Sequence, residues 1–254
     1  MTKLILHIPH SSVNIPFLDG YVVDNGVIKE ELDKLTDWFT DDLFCSETDI
    51  MVKADFSRIF CDPERFVDND LEEMSKYGMG VLYEQTDNGL KMREVNPVLR
   101  EQIISKYYLP HHKKLEESVR NELVSNNKAL IIDCHSFSNI PFNRDLNKNP
   151  NRPNINIGTD SFHTPKSLVD FTVDFFYSKG LSVAVNWPYS GTIVPLCYYR
   201  KQENVYSIMI EINRNLYLDS HTLEKSNNYN NTKQIIANFL NEVRGWLKFV
   251  LLNF

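Results

Sequence analysis

Three apolar runs, far apart in the chain, each end in a group able to bind a metal or move a proton: LILHIPHSS in His10, ALIIDCHS in His135 and SIMIEINR in Glu211. Short runs rich in branched residues read as strands, and LSVAV near residue 182 is a fourth. Helical patterns lie between them, so the alternation restricts the chain to an α/β architecture. In open α/β sheets the loops leaving the carboxyl ends of strands share one rim, and groups distant in sequence converge there. His10, His135 and Glu211 therefore stand as candidates for one site.

Helix signals divide the segments between the strands. Asn96-Pro97 and Thr164-Pro165 each offer a polar N-cap followed by proline at the first helical position, and Gly180 supplies a stop after the second. Beyond Thr232, residues Ile236, Phe239, Leu240, Val243, Leu247, Val250 and Leu251 recur at helical spacing and form one apolar stripe, which predicts a closing helix. The stretch SNIPFNRDLNKNPNRPN from Ser138 lacks periodicity and is rich in Asn and Pro, which predicts a loop able to serve as a lid. No internal repeat or linker divides the 254 residues, so residues 1–254 are expected to form one domain.

A formal net charge of -7 opposes phosphate backbones or anionic lipids as the main partner, and a small-molecule substrate is expected instead, with no nucleic acid and no membrane. No apolar stretch reaches the roughly 18 residues of a membrane helix, and MTKLILHIPHSS breaks its apolar run with His and Pro, unlike a signal peptide. The four cysteines, Cys45, Cys61, Cys134 and Cys197, lack the spacing of a thiolate cage or disulfide framework; a reducing, cytoplasmic setting fits them. Oligomeric state is not indicated.

Each candidate also has an ordinary reading. A single loop histidine more often satisfies backbone carbonyls than binds a metal. Glu211 could pair with Arg214, but the preceding SIMI predicts a buried central strand, where an unpaired carboxylate is costly. His7, inside the first strand, reads as a core or supporting group, and Asp133 shares a strand face with His135 and could orient it. A hydrolytic zinc asks for a third ligand. In KEELDKLTDWFTDDLF the residues Asp33, Asp37 and Asp41 recur every four positions, predicting an acidic stripe on one helix, and spacing does not select among them.

HIPHSS, LTDWFTDDLF, FSRIFCDPERF, GMGVLY, YYLPHH, DCHSFS, GTDSFHTP, PYSGT and EINRNLYLD follow one another in the order found in N-formylglutamate amidohydrolases, from about residue 4 to residue 219. The chain resembles that family. The resemblance implies a phosphorylase/hydrolase-like fold, a three-layer αβα arrangement with a mixed central sheet, related to zinc carboxypeptidases and muramoyl-alanine amidases. It implies one Zn2+ per chain held by His10, Asp37 and His135, and Glu211 as catalytic carboxylate. Its substrate, N-formyl-L-glutamate, carries two carboxylates, which arginine binds bidentately. Arg58, Arg65 and Arg214 lie in the matching motifs: Arg58 is the expected oxyanion partner, and Arg65, Arg214, Asn213 and Thr192 the expected substrate contacts. His163 in GTDSFHTP is a candidate for the pocket wall, whereas His111 and His112, beside Pro110, receive no catalytic role. One departure stands out: Glu64-Arg65 occupies the place of an expected Asn-Arg pair.

Overall fold

Alternation along the strands sorts the core into two faces. Leu4, Leu6 and Ile8 share a side with Leu130, Ile132, Cys134, Ile208, Ile210 and Ile212. Ile5, Ala129, Ile131 and Val205 belong to the opposite side. This period of two is the signature of extended strands buried on both faces. The computed structural model describes residues 2–253, with side chains as far as 250.

Six strands form one sheet: β1 (Ile5–Ile8), β2 (Ile50–Lys53), β3 (Ala129–Phe137), β4 (Ile155–Gly158), β5 (Val183–Val185) and β6 (Val205–Asn213). Their order is β2-β1-β3-β6-β4-β5. The first four in that order run parallel, β4 lies antiparallel to β6, and β5 is parallel to β4. The mixed sheet expected of the chain is therefore present.

The helices are α1 (Asn25–Leu35), α2 (Thr40–Leu43), α3 (Pro97–Ile103), α4 (Leu109–Asn126), α5 (Lys166–Ser178) and α6 (Tyr229–Asn253). The face of Leu6 and Ile132 packs on α5 and α6 through Phe176, Phe239, Leu240, Val243 and Leu247. The face of Ile5 and Ile131 packs on Leu115 and Val119 of α4. Helix, sheet and helix thus make three layers. Of the predicted stripe, Ile236 to Leu247 are buried, Val250 is half-buried and the side chain of Leu251 lies outside the described residues.

Two helix expectations need correction. Asn96 caps α3, accepting from the Leu99 N–H with Pro97 behind it, but Thr164 does not cap α5, whose N-cap is Pro165. Thr164 instead donates its hydroxyl to the Ser207 carbonyl. The acidic stripe is not on one helix. After Leu35 the chain turns extended at Thr36, and Phe39 takes a left-handed conformation (φ 61°) before α2 begins. Asp33 and Asp41 face the surface, paired with Lys29 and Lys53, and Asp37 alone turns inward.

Candidate functional site

β3 and β6 set the centre of the site. Their register places His135 directly beside Glu211, and Asp133 beside Met209. The alternating odd positions that carry Ile131 toward α4 carry Asp133 and His135 to the same face, at the carboxyl ends of the parallel strands. His10 follows β1 after Pro9, and its carbonyl accepts the backbone N–H of Asp37, fastening the turn that carries that residue.

His10, Asp37 and His135 are all buried, and one ligand atom from each lies within 4.8 Å of the others. Asp37 Oδ2 is 3.7 Å from His10 Nδ1 and 3.2 Å from His135 Nδ1. Both remote nitrogens are held by carboxylates: His10 Nε2 lies 2.8 Å from Asp62 Oδ1, and His135 Nε2 lies 3.1 Å from Asp133 Oδ1. An imidazole that donates Nε2–H to a carboxylate turns the Nδ1 lone pair outward, which is how metal-ligating histidines are fixed. His10 Nδ1 is buried with no hydrogen-bond partner. Two imidazole nitrogens and one carboxylate oxygen, one of them orphaned, suit a borderline divalent cation such as zinc.

The charges around the trio are arranged in pairs. Burial alone would raise the Asp37 carboxyl, but the adjoining His10 and His135 imidazoles and the Arg214 charge hold it far below the usual carboxylate range. Arg214 reaches Asp37 Oδ1 at 2.9 Å and the Lys34 carbonyl at 2.6 Å. Asp62 is likewise held down, against its burial, by His10, Arg58 and Arg65. Tyr83 donates its hydroxyl to Asp62 at 2.8 Å.

Glu211 differs. Its Oε2 is buried without a partner, and Arg214, the ordinary partner expected from sequence, is turned to Asp37 instead. Burial pushes the Glu211 carboxyl up to about 7; the nearby His135 charge opposes that rise, and Asp37 and Glu64 add to it.

A cavity of about 200 Å³ opens over these groups and is lined by His10, Asp37, His135, Glu211, Arg58, Arg65, Arg144 and Arg214, among others. Arg58 spends Nε and Nη2 on Asp62 and Tyr83. Arg65 Nε is buried without a hydrogen bond, 3.8 Å from Asp62 and 3.9 Å from Glu72.

Two expected contacts lie elsewhere. Asn213 is outside the cavity, donating to Asn139 and the Pro153 carbonyl. Thr192 bonds Ser207 and lines a neighbouring cavity of about 350 Å³. His163 does not wall the pocket: it is fully buried, bonded to the Val205 carbonyl and accepting from the Arg200 N–H.

The model of the N-formylglutamate amidohydrolase family matches residues 2–218. The chain belongs to that family. Membership of the amidohydrolase family makes the protein an enzyme with a small-molecule substrate. Among solved structures, the N-formylglutamate amidohydrolase of Ralstonia eutropha JMP134 superposes with a TM-score of 0.86 at 23% identity, covering 97% of this chain and 94% of its own. A gene product of Agrobacterium tumefaciens gives a TM-score of 0.65 at 17% identity, over 96% and 92% of the two chains. At these identities the likeness shows the fold. No curated protein sequence matches significantly. Among the described residues no helix is long and apolar enough to cross a membrane.

In this amidohydrolase-family chain the structure adds residues that sequence reasoning missed. Asp62 stands four residues after Arg58 inside the matching FSRIFCDPERF segment, so a signal existed, but nothing in the spacing ties it to His10. Arg144 sits in the aperiodic loop after Ser138, anchored on Gln85 and on the backbone of Asp87, and carries no sequence signal at all.

Proposed function

We propose that the protein hydrolyses the amide bond of an N-acyl amino acid with one zinc held by His10 Nδ1, His135 Nδ1 and Asp37, N-formyl-L-glutamate being the favoured substrate. One observation carries the reading: two buried atoms without partners, His10 Nδ1 and Glu211 Oε2, line the same cavity. When bound, such an ion lowers the pKa of water from 15.7 toward about 7 and polarises an acyl oxygen.

The protein's own groups do the rest. Asp62 and Asp133 hold the imidazoles in the ligating tautomer. Arg214 neutralises the outer oxygen of Asp37 and keeps the carboxylate ionised. Glu211 takes a proton from the attacking water and returns it to the amine nitrogen as the C–N bond breaks, so that the leaving group departs neutral. Burial, which raises this carboxyl, makes it a stronger base for the first transfer. Arg58 stands at the cavity to share charge developing on the acyl oxygen.

Arg65 is the strongest candidate for a substrate carboxylate, since its buried Nε has no hydrogen bond, whereas Arg58 and Arg214 are already engaged. Arg144 offers a second guanidinium from the loop. Arg65→Ala is expected to raise KM for N-formyl-L-glutamate by on the order of 2 kcal/mol or more. The effect on N-formylalanine, which lacks the second carboxylate, is expected to be much smaller. Equal turnover of neutral N-formyl amino acids by the unmodified protein would replace the dicarboxylate reading with that of a broader zinc amidase.

The decisive experiment combines elemental analysis with formate release. Protein purified from zinc-replete medium is expected to hold its zinc and release formate from N-formyl-L-glutamate, and His10→Ala and His135→Ala are expected to lose the ion from this site. Unchanged zinc content in both variants sinks the ligand assignment.

A further inference from the structure

A second group of potential ligands stands beside the first. His7 is fully buried in β1; its Nδ1 lies 2.8 Å from Asp133 Oδ1 and 3.6 Å from Glu64 Oε1. Ligand atoms of His7, Asp133 and Glu64 all fall within 4.8 Å of one another. On its far side, His7 Nε2 meets His111 Nε2 at 2.9 Å, which fixes the ring in place.

Carboxylates crowd around this group. Four carboxylates reach the imidazoles of His7, His10 and His135 within 4.0 Å. Asp37 is paired with Arg214, and Asp62 with Arg58. Among the described residues no lysine or arginine comes within that distance of Glu64 or Asp133. Asp133 is buried and Glu64 is half-buried, at the edge of a cavity. The His135 ring lies between them and the first site, its Nε2 3.1 Å from Asp133 Oδ1 and 3.2 Å from Glu64 Oε2.

We infer that His7 Nδ1, Asp133 and Glu64 hold a second divalent cation, next to the zinc site and on the other side of His135. One imidazole and two carboxylates suit Zn2+, Co2+ or Mn2+. Glu64 and Asp133 line the 350 Å³ cavity, which gives an ion a path from solvent that does not cross the first site. An ion at His7 Nδ1 takes the lone pair there, which leaves Nε2–H as the ring's donor to His111 Nε2 at 2.9 Å. Glu64 is the residue that makes the set complete: an amide at this position would supply no charge. The inference uses no ligand of the proposed zinc site.

Metal-free full-length protein titrated with Co2+, followed by visible absorption, and zinc counted by elemental analysis after gel filtration, test it together. The unmodified protein is expected to take up two equivalents, Glu64→Gln one, and His10→Ala one. Glu64 is at the cavity edge, so Glu64→Gln should fold, which circular dichroism verifies. Saturation of the unmodified protein at one equivalent, or two equivalents retained by Glu64→Gln, overturns the second site. Two equivalents retained by His10→Ala, with one in Glu64→Gln, would instead uphold the second site and sink the first.

Discussion

At the scale of single residues, Glu211 shows how burial becomes chemistry. A carboxyl raised from 4.5 to about 7 binds its proton in the folded state after the unfolded chain has lost it. Its contribution to stability is then full below pH 4.5 and disappears as pH rises through about 7, a fall of roughly 3 kcal/mol by linkage. Chemical denaturation of the metal-free protein across that interval should show the decline, and Glu211→Gln should lack it. The same variant is expected to keep its zinc and lose about 100-fold or more in turnover, because the amide has the shape but not the basicity; near-normal turnover removes Glu211 from the mechanism. Asp62→Asn should keep the fold and bind zinc about 10–100-fold more weakly, measured by competition with a chelator. Much of this neighbourhood was legible: His10, His135 and Glu211 announce themselves at the ends of apolar runs. Asp37 did not, because its position depends on a helix that stops at Leu35 and a left-handed Phe39, neither of which is written in a four-residue spacing.

Among the elements, β1, β3, β5 and β6 follow directly from their apolar runs, whereas β2 and β4 escaped notice. IMVK and INIG are each four residues long, and they are strands because the neighbours β1 and β6 supply their hydrogen bonds. The segment around Pro110 is more informative. Instead of a bare proline kink, a π-helical turn at Ile104–Tyr108 joins α3 to α4, absorbing an extra residue ahead of Pro110. That phase brings His111 against His7 and His112 against the Pro63 carbonyl. Burial depresses both rings, His111 to about 2 and His112 to about 4, so both are neutral at pH 7. Deleting Ser105 should turn the π segment into ordinary α-helix and leave the two flanks in nearly the same phase, because the bulge takes up the extra residue without turning one flank against the other. Thermal melting of the deletion is therefore expected to fall only modestly, with His111 still packed against His7; a collapse of the fold would show that the π turn sets the phase of α4.

Taken as a whole, the molecule closes its cavity with the predicted loop, but the loop is fastened. Arg152 ties Asp145, Tyr189 and the Ser138 carbonyl together, and Arg144 binds back to Gln85 and Asp87. Arg152→Ala leaves Asp145 without its cation and should cost about 3 kcal/mol in denaturant unfolding, with a raised KM for substrate. The sheet order carries a further consequence, for synthesis of the chain on the ribosome. β3 is buried along all nine residues, and one of its edges is covered by β6, which is made about seventy residues later. Until Val205–Asn213 has emerged, that edge is open, apolar and able to pair with any other strand it meets. The nascent chain is therefore most exposed to misassembly in its last third, just before the strand that brings Glu211 to His135 arrives.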